Sequence, residues 1–329
     1  MYRTGSNINN EENMEKMQAV LYSKKSPGKL SLAEIDKPVP KDNEVLIRVH
    51  AVSLNAADYR SMKMGIIPKR KIFGADIAGT VESVGAQTSI FKPGDEVMAD
   101  LASYGFGGLA GYVAAPESAL ALKPAKVTFE EAATIPLAGI TALQALRDKG
   151  NIQKGQKVLV VGSAGSVGPL AVQLAKHFGA EVTGVCSPRN TEQTLSIGAD
   201  HVIDYTKEDF LDTSERYHLV LGINGNYPLV SYRRSLAPGG TYVMVGGGLS
   251  QIFKSLVFGR LLSLGSKKMK TLAAKPNRKD LEFLGSLLER GILKPVIDQR
   301  YTLAAAAEAL GYLGKGHATG KVIIQVHSA

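Results

Sequence analysis

The chain has 329 residues, 44% hydrophobic and 21% charged, enough for a large core and two domains of ordinary globular composition. No run approaches the ~20 apolar residues of a membrane span, and one cysteine, Cys186, excludes an internal disulfide and any Cys-built zinc site. The formal charge of +9 leaves three readings open: nucleic acid, an anionic membrane surface, or a phosphate-rich cofactor.

The opening MYRTGSNINNEENMEKM lacks an apolar signal core and is acidic in its second half. Residues 1–16 therefore read as a disordered extension, with Met14 or Met17 as alternative starts, and the cytoplasm is the default compartment. Residues 17–125 read as β-rich. VLIRVHAVSL and IAGTVESVG are short β-branched runs punctuated by glycine and proline, the pattern of a barrel or distorted sandwich. TFEEAATIPLAGITALQALRDKG then changes to helical spacing, with Thr128 and Glu131 placed as a capping box.

Strands and helices alternate from there. KVLVVG (157–162), EVTGVC (181–186), HVIDY (201–205), HLVLGI (218–223) and GTYVMVGG (240–247) read as strands. Residues 166–179, RNTEQTLSIGA and YPLVSYRRSL read as helices between them, which predicts a doubly wound parallel sheet. DLEFLGSLLERG (280–291) is a further helix, and the chain closes with QRYTL, an Ala-rich helix (304–313) and the strand KVIIQV (321–326).

In VLVVGSAGSVG, Gly162, Gly165 and Gly168 fall three apart between a strand and a helix, with Ser163, Ser166 and Val167 between them. Such a turn aims free backbone N–H groups and the positive end of a helix at a pyrophosphate. An NAD site places an acid about 20 residues on, to bond the ribose 2′-OH. Here the second strand ends in Ser187-Pro188-Arg189, a hydroxyl and a guanidinium suited to a 2′-phosphate, so NADPH is the expected cofactor. The alternative is that Arg189 is a solvated helix-start residue.

GADIAGTVESVG followed by FKPGDEV, AATIPLAGITALQAL, the Gly162/Gly165/Gly168 turn, GADHVIDY and HATGKVIIQV together resemble the medium-chain dehydrogenase/reductase superfamily. Within it they resemble the zinc-free quinone oxidoreductase branch, including the chloroplast-envelope quinone oxidoreductase homologues and alkenal/one oxidoreductases. The resemblance implies a GroES-like catalytic domain from residues 17–137 with 293–329, a Rossmann domain over 138–292, and a homodimer. It implies that Asn55 and Asp58 approach the nicotinamide and its ribose, and that Tyr59 lines the cleft or donates a proton. It further implies that Thr141 bonds the nicotinamide end, Gly246 and Gly247 bracket the ring, and Tyr205 packs beside the adenosine. Asn55 as a turn residue and Tyr59 as simple packing are the alternatives. Asn55 stands in place of the first Cys ligand of zinc members, and Asp76 lies where they carry a His-Glu pair, so no metal is expected. His50, His177, His201, His218, His317 and His327 are too dispersed to build another centre.

Without a Lewis acid an alkoxide is unstabilised, which disfavours alcohol–carbonyl interconversion. Hydride added to a conjugated acceptor instead delocalises charge onto an oxygen that hydrogen-bond donors can stabilise. The expected activity is NADPH-dependent reduction of quinones or of the C=C bond of enones and alkenals. The competing class is a nucleotide-binding, non-catalytic relative that binds RNA or a membrane surface, marked by salt-dependent binding without turnover. The basic group Lys267, Lys268, Lys270, Lys275, Arg278 and Lys279 lacks interleaved aromatics and reads as a solvated face, so no nucleic-acid partner is expected. SQIFKSLVFGRLLSLGSKKMK (250–270) reads either as a cover for the substrate mouth leading to a dimer-edge strand, or as a weak membrane-surface contact.

Overall fold

The structure is a computed structural model that describes residues 15–25, 29–223, 227–247, 255, 257, 259 and 262–327. The N-terminal extension thus lies outside the described residues except for Glu15 and Lys16. Lys16 is not part of an extension, because it opens the first strand, β1 (Lys16–Tyr22), which pairs antiparallel with β2 (Leu30–Asp36).

The central strand of the β-rich domain is β3 (Glu44–Leu54), whose residues are buried except Arg48. Its β-branched residues have apolar cover on both faces, which is why it does not read as a simple alternation. Along one edge it pairs with β4 (Asp76–Val84). Along the other, Glu44–Arg48 pair with β6 (Tyr112–Pro116), and Ala51–Leu54 pair with β15 (Lys321–Gln325). Register shifts at Leu46/Ile47 and Val49/Ala51 bend the strand between these partners. β5 (Glu96–Asp100) and β7 (Leu120–Leu122) extend the sheet beyond β4, and β14 (Ile297–Thr302) extends it beyond β15. The end of the chain therefore completes the sheet begun at residue 44.

The second sheet is parallel, in the order β10 (His201–Asp204), β9 (Glu181–Cys186), β8 (Lys157–Val161), β11 (Tyr217–Gly222), β12 (Leu236–Met244), β13 (Lys268–Thr271). Numbered from β8, that order is 3-2-1-4-5-6, the doubly wound dinucleotide-binding order. The order in which successive strands are added reverses between β8 and β11, and this switch point is where such sheets bind ligands.

Several element boundaries differ from expectation. The helix expected from residue 166 starts two residues later, as α4 (Gly168–His177), because Gly165 to Val167 remain in the turn. The segment from Thr128 is broken into α2 (Phe129–Ala133), closed by the expected capping box, and α3 (Pro136–Gln144). Pro136 supplies no N–H, so the ladder of helical hydrogen bonds is interrupted there and one helix becomes two, although Ile135 before it keeps helical backbone angles. The strand expected at 240–247 starts earlier and ends earlier, at Met244, leaving Gly246 and Gly247 in the loop after it.

α3 lies between the two sheets. Its Ala138, Ile140, Ala142 and Leu143 share one core with Ala51, Ala78 and Met98 of the β-rich sheet and with Val158, Val160 and Leu170 of the parallel sheet region. Small residues allow that approach: a Cβ on Gly139 would already meet Leu284 at 3.0 Å.

Candidate active site

Gly162 leaves β8 with φ +95°, a conformation that favours glycine. A Cβ there would meet the Ile223 carbonyl across the switch point at 2.1 Å, and one on Gly168 would meet the Gly162 carbonyl at 2.2 Å. These two glycines let strand and helix approach. Gly165 differs, since a Cβ there would meet nothing within 4 Å. Among the described residues, the N–H groups of Gly165, Ser166, Val167 and Gly168 have no backbone acceptor, and the Ser166 hydroxyl is buried without a partner. Free donors, an orphaned hydroxyl and the N-terminus of α4 fit a pyrophosphate. Ser163 does not belong to that set. Its N–H and that of Gly162 donate to the Val185 carbonyl (3.1 and 3.0 Å), and its buried hydroxyl bonds Val185 O and Thr194 Oγ1. Both its polar groups tie the turn to β9, so the expected cofactor contact is corrected to a structural one.

Ser187, Arg189 and Tyr205 stand at the carboxyl ends of the neighbouring strands, β9 and β10. The Ser187 hydroxyl accepts from Asn190 Nδ2 at 3.1 Å. Arg189 is exposed and donates from Nη2 to the His317 carbonyl at 2.9 Å. Tyr205 is 54% exposed. Gly246 and Gly247 follow β12; Gly247 has φ +152°, and a Cβ on Gly246 would meet nothing within 4 Å. The turn, Ser187, Arg189, Tyr205, Gly246 and Gly247 therefore share one edge of the parallel sheet. Thr141 is buried on α3.

Asn55, Asp58 and Tyr59 do not form one exposed constellation. Asn55 precedes α1 (Ala56–Met64), and its N–H donates to Asp58 Oδ2 at 2.8 Å. Asp58 Oδ1 accepts from Gly74 N–H at 2.9 Å, and burial pushes its carboxyl up to about 6. The Tyr59 ring packs on Gly314 of α8 (Ala306–Gly314; α5 to α7 being Thr191–Ser196, Leu229–Ser235 and Arg278–Glu289), where a Cβ would meet it at 2.4 Å.

Asn55 and Asp58 belong to a buried polar cluster that sequence reasoning missed. Lys321, 2% exposed, donates to Asn55 Oδ1 (2.6 Å) and Asp76 Oδ2 (3.3 Å). Asp76 Oδ2 also accepts from Asn55 Nδ2 at 2.8 Å, and its Oδ1 accepts from the Leu137 N–H of α3 at 2.9 Å. Asp100 is the cross-strand neighbour of Asp76, bonded to the Ala102 N–H. Burial, reinforced by the Asp76 charge, pushes Asp100 up to about 7. Burial also drives Asp76 up and Lys321 down, each opposed by the charge of the other. An available signal was the acid at one end of each apolar strand, Asp76 opening β4 and Asp100 closing β5.

These residues do not fit a zinc ion. Asn55 and Asp76, at the positions where zinc members carry ligands, are already bonded to an ammonium that repels a second cation. Among the described residues no group of three or more His, Cys, Asp or Glu is arranged to hold a metal.

Residues 41–125 match the family described as alcohol dehydrogenase GroES-like domain, and residues 197–324 match that described as zinc-binding dehydrogenase. A chloroplast envelope quinone oxidoreductase homolog from Arabidopsis thaliana is 34% identical over 94% of this chain and 98% of its own. An NADPH-dependent alkenal/one oxidoreductase, chloroplastic, from the same plant is 33% identical over 94% of this chain and 80% of its own. The solved quinone oxidoreductase from Coxiella burnetii superposes with TM-score 0.85 at 29% identity, over 95% of this chain and all of that one. No helix among the described residues is long and apolar enough to cross a membrane. With the strand order, the glycine-rich turn and the GroES-like domain, these similarities place the chain in the medium-chain dehydrogenase/reductase superfamily, in its quinone oxidoreductase branch.

Proposed function

We propose that this chain is a zinc-independent oxidoreductase that uses NADPH to reduce quinones or the C=C bond of α,β-unsaturated carbonyls. The observation that carries the reading is Lys321, bonded to Asn55 and Asp76 where a metal would need ligands. A substrate oxygen then has no Lewis acid to bind, which favours acceptors that delocalise the incoming charge.

When bound, the reduced nicotinamide supplies the hydride, to the β-carbon of an enone or to a quinone. The turn N–H groups and the Ser166 hydroxyl hold the pyrophosphate, and Ser187 and Arg189 hold the 2′-phosphate. Tyr205 flanks the adenosine, Gly246 and Gly247 bracket the ring, and Thr141 bonds its amide end. Asn55 and Asp58 hold the start of α1 beside the ribose, and water delivers the proton. The similarity to an NADPH-dependent alkenal/one oxidoreductase supports both cofactor and substrate class. The outer strand β13 supports homodimer formation by edge pairing. In the segment 250–270, residues 250–254, 256, 258, 260 and 261 lie outside the described residues.

Oxidation of NADPH by a panel of 1,4-quinones, enones and alkenals tests the reading, with turnover by NADH expected to be much poorer. An absence of turnover across that panel, with salt-dependent binding to RNA or anionic vesicles, would replace it with the non-catalytic alternative.

A further inference from the structure

We propose that Asp76 is a positioning residue for the nicotinamide end of the site: from the β-rich sheet it caps α3, and Asn55 and Lys321 hold it in place. The inference rests on the reading that Thr141, one helical turn beyond Leu137, meets the nicotinamide.

α3 has no cap of its own. Ile135 occupies its N-cap position, fully buried and without a side-chain acceptor, and Pro136 has no N–H to offer. Leu137 then carries an orphan donor of the kind every helix start exposes. Asp76 accepts it across a separation of 61 residues. A Ser or Asp at position 135 would satisfy the same donor locally, without burying charge from another domain. Because the acceptor sits on β4, the axial position of α3 is tied to the β-rich sheet by a directional bond, while its apolar side chains pack against residues of both sheets.

The groups facing Asp76 define its charge. Asn55, before α1, donates one amide hydrogen bond, and Lys321 on β15 donates from its ammonium. Asp58 on α1 and Asp100 on β5 oppose it with like charge. Removal of Lys321 alone leaves a buried carboxylate uncompensated, whereas neutralising both partners does not. An Asn at position 76 keeps a carbonyl acceptor for Leu137 without the charge.

The test compares Asp76→Ala/Lys321→Met with Asp76→Asn/Lys321→Met, so that neither protein leaves Lys321 buried without its partner and only the acceptor at position 76 differs. Amide hydrogen exchange of the cofactor-free protein reads the cap directly. Protection in the first turn of α3 should fall about tenfold in the Ala-containing variant and stay near wild type in the Asn-containing one, consistent with the loss of one helix cap. With NADPH added to the Ala-containing variant, the Kd should change less than about threefold, because the phosphate end is untouched, while the nicotinamide fluorescence enhancement and kcat fall about tenfold. Both should stay near wild type in the Asn-containing variant. Wild-type protection in the Ala-containing variant, or equal impairment of fluorescence and kcat in both proteins, would overturn the proposal. Failure of the wild-type chain to bind NADPH overturns the functional reading instead, and the exchange data still decide whether Asp76 caps α3.

Discussion

Arg189 donates from Nη2 to the backbone carbonyl of His317, 2.9 Å away, joining the end of β9 to the loop before β15. A guanidinium has five donors, and this contact uses one of them. The side chain is exposed and lies past a strand that ends without an acid, and among the described residues no other hydrogen bond engages its guanidinium, which leaves the remaining donors for a phosphate. Arg189→Ala should weaken NADPH binding by about 10- to 100-fold, the range of charge-assisted hydrogen bonds. NADH binding should change far less. Fluorescence titrations of both nucleotides check this, and an equal loss for the two would remove Arg189 from the 2′-phosphate site.

The three turn glycines should separate into two kinds. Gly162→Ala forces a left-handed backbone onto alanine and drives its Cβ into the Ile223 carbonyl. It should destabilise the fold by about 1–3 kcal/mol or more. Gly165→Ala meets no protein atom, so its melting temperature should stay near that of wild type. Its methyl would still stand where backbone must approach a pyrophosphate, and nucleotide affinity should drop. Thermal melts paired with NADPH titrations distinguish these outcomes; a Gly165→Ala protein that binds normally would place the phosphates elsewhere.

The parallel sheet was legible because each strand–turn–helix unit carries its own local signal, down to glycines at 162, 165 and 168. Asn55 and Asp76 could also be singled out one at a time, from their own short segments. The buried cluster was not legible. Lys321 opens KVIIQV, which reads as a charged residue at the exposed start of a strand. Its partners Asn55 and Asp76 lie 266 and 245 residues away and meet it only when β15 pairs with β3. No local pattern encodes that closure. The role of Ser163 was misjudged in a similar way: a hydroxyl inside a phosphate turn reads as a ligand contact, but the turn rotates it beneath itself towards Thr194.

Ser163→Ala tests that correction. Losing two long hydrogen bonds inside the domain should cost about 1 kcal/mol of stability. NADPH affinity should change less than about twofold, because neither polar group of Ser163 faces the phosphates. Urea unfolding with parallel titrations measures both. A large affinity loss at unchanged stability would restore Ser163 to the cofactor site.

Asp100 should make stability depend on pH near neutrality. Burial and the neighbouring Asp76 push its carboxyl up to about 7 in the folded chain, against about 3.9 when unfolded. The folded chain therefore binds this proton more tightly. The stabilisation is complete below the unfolded value and is lost as pH rises through about 7. Asp100→Asn removes the titration while its carbonyl can still accept from Ala102 N–H. The variant should match wild type below about pH 4, and its advantage should grow by on the order of 2 kcal/mol between pH 5 and pH 8. Urea midpoints at the two pH values check the difference, and a pH-independent gap would show that Asp100 is charged throughout.

Tyr59 remains the candidate for a side-chain proton donor, and its surroundings argue against that role. The ring lies on Gly314, where even a methyl would collide with it, and Lys63 stands 5.9 Å from its centroid. The hydroxyl lies against Gly314 as well, 2.9 Å from where that Cβ would stand, rather than facing open space. Tyr59→Phe keeps the ring contacts and removes only the O–H, so kcat should stay within about twofold of wild type, with a similar solvent isotope effect. Gly314→Ala should instead displace the ring and lower stability by about 1–3 kcal/mol, as overpacking does. A drop of 100-fold or more in kcat for Tyr59→Phe, within the range of general acid catalysis, would make the phenol the donor and remove water from that role.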